Sequence, residues 1–283
     1  MVSVVIPTFN SERFLRETLE TVMSQTYPVS EIVIVDGGST DKTLRIASEF
    51  PVRICPEQSR SIPNGRNIGM RVATSEWIAL LDHDDLWEPT KLEKQVESVC
   101  QYPDVTMVLT DYVRVDSLKT IRKSEKKTSA DYYRAIGRQD GCYFPRVDFT
   151  NQEWMIPLTS SCLIKKGTEW FDEELQGTDD TEFFLRMMMH PFVSIDIPLV
   201  HWRMTPTSYS HKEKLSMELD FVKTMDTIMT HPERYPAGVY DCVRRIRGQR
   251  IRQVSFHLLK NRKVLVALSM LRRSFVRGSY VDR

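Results

Sequence analysis

No two cysteines in this sequence stand close enough for a C-x-x-C motif, and the five present (Cys55, Cys100, Cys142, Cys162 and Cys242) are odd in number. A disulfide framework and a zinc cluster are therefore disfavoured, and a reducing compartment fits. Long apolar runs are missing too: none approaches the roughly 20 residues that cross a bilayer. Residues 1–7 have neither a basic stretch nor an extended apolar core, so no secretion signal is expected. Net charge is nearly absent, at +1 over 283 residues, which argues against bulk attraction to nucleic acid. There is no internal repeat. The expected location is the cytoplasm, or at most the inner face of the membrane.

What is present is a globular balance, 41% hydrophobic and 27% charged, with an uneven distribution of charge. Residues 244–283 hold twelve Lys and Arg against one acid, Asp282, which leaves the first 243 residues at −10. Apolar runs at 2–7, 31–35, 52–55, 77–81 and 105–110 read as buried strands. Between them lie helix patterns, with Phe14, Leu15, Leu19, Val22 and Met23 on one face after a cap at Asn10 or Ser11. Further helices follow a cap at Thr40 or Asp41, near 64–74, and at 89–102. This alternation predicts an α/β fold with a mostly parallel sheet covered on both faces. The pattern weakens from 116 to 149, with a polar loop at 119–127, and returns at 157–164. A helix at 179–190 and a strand at 192–197 follow, and the chain reads as helical beyond Pro206. The expected organisation is one α/β unit over 1–205, divided into the parts 1–110 and 111–205, with a helical basic extension over 206–283.

Chemistry concentrates at Asp82-His83-Asp84-Asp85, directly after the fourth strand. Ligands of open α/β sheets bind outside the carboxyl ends of the strands, and crowded carboxylates there need a cation or donors to neutralise them. A Mg²⁺ or Mn²⁺ ion held by Asp84 and Asp82 would do so; helix capping by Asp84 or Asp85 is the alternative. Pro7-Thr8-Phe9-Asn10 and Asp36-Gly37-Gly38-Ser39-Thr40-Asp41 end the first two strands and should open onto the same edge.

These blocks, with Gly-Arg-Asn-Ile-Gly at 65–69 and Leu-Asp-His-Asp-Asp-Leu-Trp-Glu-Pro at 81–89, resemble in order those of family 2 glycosyltransferases. The resemblance covers 2–110 closely and reaches about 205 more loosely. It implies a GT-A fold, a nucleotide diphosphate sugar donor, a divalent metal and inversion at the anomeric carbon. By position, Pro7, Thr8 and Phe9 would line the base and Asp36 would lie near base or ribose. Arg66 and Asn67 would sit near the donor, and Asp82 and Asp84 near ribose, metal and diphosphate. Many relatives have a second Asp, the uracil anchor, where this chain has Gly37, so UDP is favoured while dTDP and GDP stay open. Thr178-Asp179-Asp180-Thr181-Glu182 resembles the block that carries the catalytic base, with Asp180 as the base and Asp179 before it; helix capping is the alternative. His201-Trp202-Arg203, expected just past the last strand, offers Arg203 to phosphate and His201 as a third metal ligand or a structural residue. Trp154 and Trp170 are assigned to the core.

The expected function is therefore an inverting, metal-dependent glycosyltransferase acting on a glycan or lipid-linked glycan acceptor in surface polysaccharide or glycoconjugate synthesis. A nucleotidyltransferase is the first alternative, disfavoured because no Gly-rich basic loop follows the first strand. A non-catalytic nucleotide-sugar-binding protein is the second. In 244–283, Ile246, Ile251, Val254, Leu258, Val264, Leu265, Leu268, Leu271 and Phe275 interleave with basic residues. That pattern fits either packing on the body or peripheral contact with anionic lipid.

Overall fold

A computed structural model describes residues 1–116, 157–175, 177–204, 214–235 and 239–260. The polar loop at 119–127, Trp154 and the apolar tail residues from Val264 onward lie outside them.

Among the described residues, eight strands form one sheet in the order β3-β2-β1-β4-β7-β6-β8-β5. They are β1 (Val2–Thr8), β2 (Glu31–Asp36), β3 (Arg53–Pro56), β4 (Trp77–Leu80), β5 (Leu86–Trp87), β6 (Met107–Val115), β7 (Leu163–Lys165) and β8 (Phe192–Arg203). The half built from the first 80 residues is parallel, β3-β2-β1-β4. Beyond it the sheet is mixed, because β7 runs antiparallel to both β4 and β6, while β8 is parallel to β6. The helices are α1 (Leu15–Met23), α2 (Thr43–Ala47), α3 (Ile62–Val72), α4 (Lys91–Gln101), α5 (Asp179–Met187), α6 (Lys214–Thr230) and α7 (Val239–Lys260).

Strands β1, β2 and β4 are near-continuous apolar runs because they are covered on both faces, whereas β3 is a largely exposed edge strand. Val5, Val33 and Ile78 belong to one core with Phe183 and Phe184, and Val4, Ile34 and Ala79 to the opposite one with Leu15 and Leu19. Helix α3 lies flush on β1. A Cβ added at Gly69 would fall 2.3 Å from Val5 Cγ1, so only glycine permits this approach.

Several local expectations are corrected. Asn10 and Ser11 do not cap α1: Asn10 adopts a positive φ of 49°, and its side-chain oxygen accepts the Thr40 N–H at 2.9 Å. Met23 is exposed rather than on the buried face of α1. Strand β5, only two residues long, was not anticipated. Strand β8 does not stop at Ile197. It runs through Pro198, which the sheet accommodates at register shifts opposite Thr110–Tyr112, the kind of irregularity where a strand tolerates proline. His201, Trp202 and Arg203 are consequently inside the last strand, not beyond it.

Residues on both sides of position 205 share one core: Met225, Ile228, Tyr235, Val239 and Val243 join the cluster of Val5, Ile78 and Phe183.

Candidate active site

Register brings the chemistry to one sheet edge. Thr8 pairs with Asp36, and Asp36 with Pro56, while Asp82 follows the end of β4. The glycine-containing turn after β2 is organised by the Asp36 carboxylate. Its Oδ1 accepts the hydroxyls of Ser39 (2.6 Å) and Thr8 (3.0 Å), and Oδ2 accepts the N–H groups of Ser39 (2.8 Å) and Gly38 (3.1 Å). Asp36 thus shapes the loop that lines the edge. Phe9 projects at its mouth, 41% exposed, with the Arg60 guanidinium 5.0 Å above its ring.

The carboxylate segment after β4 is clamped from three sides. Ser160, in a 3-10 turn at Thr159–Ser161, donates its hydroxyl to Asp85 Oδ2 at 2.5 Å and accepts the Asp82 N–H at 3.0 Å. Thr18 of α1 donates to the carbonyls of His83 and Asp85, both at 2.9 Å. The Arg203 N–H of β8 donates to Asp85 Oδ1 at 3.0 Å. Asp85 is thereby an internal strut. Burial, reinforced by Asp84 and Asp82, pushes its carboxyl well above the usual range. Asp84 is half-buried, and burial together with Asp82 raises its carboxyl too, against the opposing pull of His83 and Arg203.

Arg66 joins this segment to α5. Its guanidinium, 7% exposed, contacts Asp82 Oδ1 at 2.9 Å and Asp179 Oδ2 at 2.8 Å. Burial opposes its charge, but Asp82, Asp179 and Asp180 outweigh that and hold it protonated. Asp179 is pushed up to about 6 by burial, with Asp180 and Asp82 adding to the shift and Arg66 opposing it. Asp180, next to it in the first turn of α5, is raised by burial and by Asp82. Among the described residues its Oδ1 accepts the neighbouring Thr181 N–H (2.7 Å) and, weakly, the Thr181 hydroxyl (3.4 Å).

The remaining expected residues are distributed as follows. Pro7 packs against α3, 3.6 Å from where a Cβ on Gly65 would stand. Asn67 is turned into the protein, with both N–H bonds on the Phe171 carbonyl (2.9 Å) and Glu173 (2.8 Å), so it fastens the segment before α5. Arg203 is directed at Glu17 (2.7 Å) and lies 4.4 Å over the Phe14 ring, on the α1 side. His201 Nε2 contacts Glu88 at 2.8 Å; the structure pairs it with that acid and does not bring it into a cluster with Asp82 and Asp84. Among the described residues no three His, Cys, Asp or Glu side chains form a metal cage. Trp170 is 36% exposed, beneath Arg71, rather than core. Reading of the sequence missed Ser160, whose only signal is a short Thr-Ser-Ser run after a proline.

Comparison with known proteins agrees with this architecture. A sequence model described as glycosyl transferase family 2 matches residues 3–159. An uncharacterized glycosyltransferase of Rickettsia typhi is 23% identical over 239 residues, 84% of this chain and 70% of that protein. A putative teichuronic acid biosynthesis glycosyltransferase of Bacillus subtilis, TuaG, is 33% identical over 103 residues, 34% of this chain and 41% of that one. Among solved structures, residues 1–349 of TarS from S. aureus in complex with UDP superpose with a TM-score of 0.65 at 18% identity, covering 97% of this chain and 81% of that one. The same TarS fragment with UDP-GlcNAc gives a TM-score of 0.62 at 15% identity, covering 99% and 93%. The fold is thus the GT-A fold, and with more than half of its length matched, the chain belongs to glycosyl transferase family 2.

Proposed function

We propose that this chain is an inverting glycosyltransferase that moves a sugar from a nucleoside diphosphate, UDP by preference, to a hydroxyl of a glycan or lipid-linked glycan in surface polysaccharide synthesis. The observation that carries the reading is the Asp82–Arg66–Asp179 bridge. It sets the start of α5, with Asp180, across from the carboxylate segment at the sheet edge. In a single displacement the acceptor oxygen attacks the anomeric carbon as the bond to the diphosphate breaks, and Asp180 takes the acceptor's proton. Arg66 fixes the spacing between donor end and base, and Asp36 and Thr8 hold the loop that receives the nucleoside. The half-buried Asp84 with Asp82 beside it fits Mn²⁺ or Mg²⁺, because hard carboxylate oxygens under mutual repulsion favour such an ion, which would neutralise the departing diphosphate. TarS, which shares the fold, has been captured with UDP and UDP-GlcNAc, and the relative named for teichuronic acid biosynthesis supports a polysaccharide product.

The test is donor hydrolysis. Purified protein with Mn²⁺ and a UDP-sugar, without acceptor, should slowly release UDP and free sugar. Asp84→Ala should abolish this release and the EDTA-sensitive part of UDP binding, with an unchanged circular dichroism spectrum. Hydrolysis by Asp84→Ala at the wild-type rate in EDTA would remove the metal assignment. Nucleotide binding without turnover, whatever acceptor is supplied, would leave a binding protein instead.

A further inference from the structure

Glu57 follows the last residue of β3, and its N–H donates to the Asp36 carbonyl at 2.8 Å, which places it on the same sheet edge as Thr8 and Asp36. It is 4% exposed. Oε1 is saturated: it accepts the Ser59 N–H at 2.7 Å, the Asn64 amide at 2.8 Å and the Ser59 hydroxyl. Oε2 accepts a single bond, from the Ser61 N–H at 3.1 Å. A carboxylate offers about four acceptor positions, so Oε2 keeps capacity among the described residues. Burial works against its charge, but the bonds from Ser59, Asn64 and Ser61 prevail and hold the carboxyl below its ordinary range, so it is an anion at neutral pH.

The direction in which Oε2 is open is set by a missing side chain. A Cβ built on Gly37 would stand 3.7 Å from Oε2, 3.7 Å from the Arg60 Cα and 3.5 Å from the Thr8 carbonyl. Gly37 is not among the residues with positive φ, so its backbone does not demand glycine. What glycine leaves beside the oxygen is a gap the size of a methyl group. The Thr8 carbonyl and Arg60 border that gap, and the Arg60 guanidinium lies 5.0 Å over the exposed ring of Phe9, a flat apolar surface of the kind on which a planar ring stacks.

Resting on the nucleotide-donor reading above, we propose that Glu57 reads the nucleobase: its Oε2, in the gap left by Gly37, accepts the ring N–H of uracil, thymine or guanine. Those bases carry a ring N–H beside a carbonyl. Cytosine and adenine present a bare ring nitrogen at the equivalent place, whose lone pair would face the carboxylate. A buried acceptor built for a donor rejects the analogue that lacks it, because its own hydrogen bond is then unmade.

The experiment is calorimetric titration of the full chain, with Mn²⁺, by UDP, dTDP, GDP, CDP and ADP, and by the ring-N-methylated form of whichever of the first three binds. The tightest ligand should be an N–H base, with at least about tenfold weaker binding of its N-methyl form and of CDP, the equivalent of one lost hydrogen bond. Glu57→Gln should erase most of that discrimination and shift preference toward CDP, and Gly37→Asp in the Glu57→Gln background should restore it. Should Glu57→Gln fail to fold, Gly37→Ala, whose methyl fills the gap beside Oε2, should erase the same discrimination between normal and N-methyl nucleotide. Equal affinity of the wild type for the two, or preference for CDP or ADP, overturns this role for Glu57 while leaving the transferase reading intact. Binding of no nucleoside diphosphate at all overturns both.

Discussion

Arg66 meets two carboxylates separated from it by 16 and 113 positions in the chain, and the site depends on that meeting. Removing one partner of a buried ion pair leaves an uncompensated charge, so the bridge is a rigid spacer rather than a surface ornament. Asp180 stands beside it with a carboxyl raised by burial, a shift that makes a carboxylate a better proton acceptor. Asp180→Asn keeps shape and hydrogen bonding but cannot take a proton. It should bind donor as the wild type does and lose transfer by on the order of 10²-fold or more. In the wild type, transfer should rise with pH through the raised pKa of this group. Wild-type transfer rates in Asp180→Asn would move the base to Asp179. At this scale the sequence was partly informative. Asp82, Asp84, Asp179 and Asp180 stand out as clustered acids at the ends of apolar runs. Ser160 and Glu17 do not, because what distinguishes them is a partner, Asp85 or Arg203, brought close only by folding.

At the level of elements, apolar runs located the strands well, since burial is what such runs report. They said nothing about which strand pairs with which. The antiparallel insertion of the three-residue β7 between β4 and β6, and the continuation of β8 past Pro198, follow from long-range hydrogen bonds with no local signature. Helix α4 shows a related limit: Lys91, a residue type ordinarily at the surface, is fully buried, donating to Gln95 at 2.8 Å with its amine 4.0 Å over the Trp87 ring. Burial lowers its pKa to about 7. Below pH 7 the folded protein carries the full cost of a buried charge. Between pH 7 and about 10.4 the unfolded chain holds the proton and the folded one does not, so this group's contribution to stability improves as pH rises. Lys91→Met removes that dependence. Urea unfolding of wild type and variant at pH 7 and 9.5 should show the variant's relative stability falling by about 1–3 kcal/mol across the interval. Parallel pH profiles would show that the amine stays charged in the fold.

For the whole molecule, the C-terminal helices are part of the body. Ile251, Val254 and Leu258 of α7 bury against Val222 of α6. The Tyr235 hydroxyl donates to Glu182 of α5 at 2.7 Å, and Thr178 and Thr224 share a hydrogen bond at 2.6 Å. Arg250 of α7 pairs with Glu218 at 2.6 Å and Arg247 with Asp226, so part of the basic face is neutralised within the protein. Packing therefore accounts for the apolar pattern up to 260, which the sequence offered as one of two readings. No helix among the described residues is long and apolar enough to cross a membrane. Attachment to anionic lipid, if the tail provides it, should reside in residues 261–283, where five Arg and one Lys meet a single Asp. Each basic residue near such a surface contributes roughly 1 kcal/mol. A chain ending at Lys260 should keep its melting temperature and UDP binding but lose salt-sensitive co-sedimentation with phosphatidylserine vesicles. Indifference of the full-length protein to those vesicles would eliminate membrane contact, and collapse of the shortened one would show that the tail belongs to the core.

The place of β7 in the sheet also has a consequence in time. Strand β4 is complete at Leu80, but the neighbour that covers its free side is Leu163–Lys165. A ribosome adding about 5–20 residues per second needs several seconds to supply it. Throughout that interval Trp77-Ile78-Ala79-Leu80 presents an unpaired, wholly apolar edge, the kind that recruits other chains. The yield of active protein should therefore depend on how fast the chain is translated between these two strands, and on whether a chaperone shields the nascent edge, even when the stability of the finished molecule is unchanged.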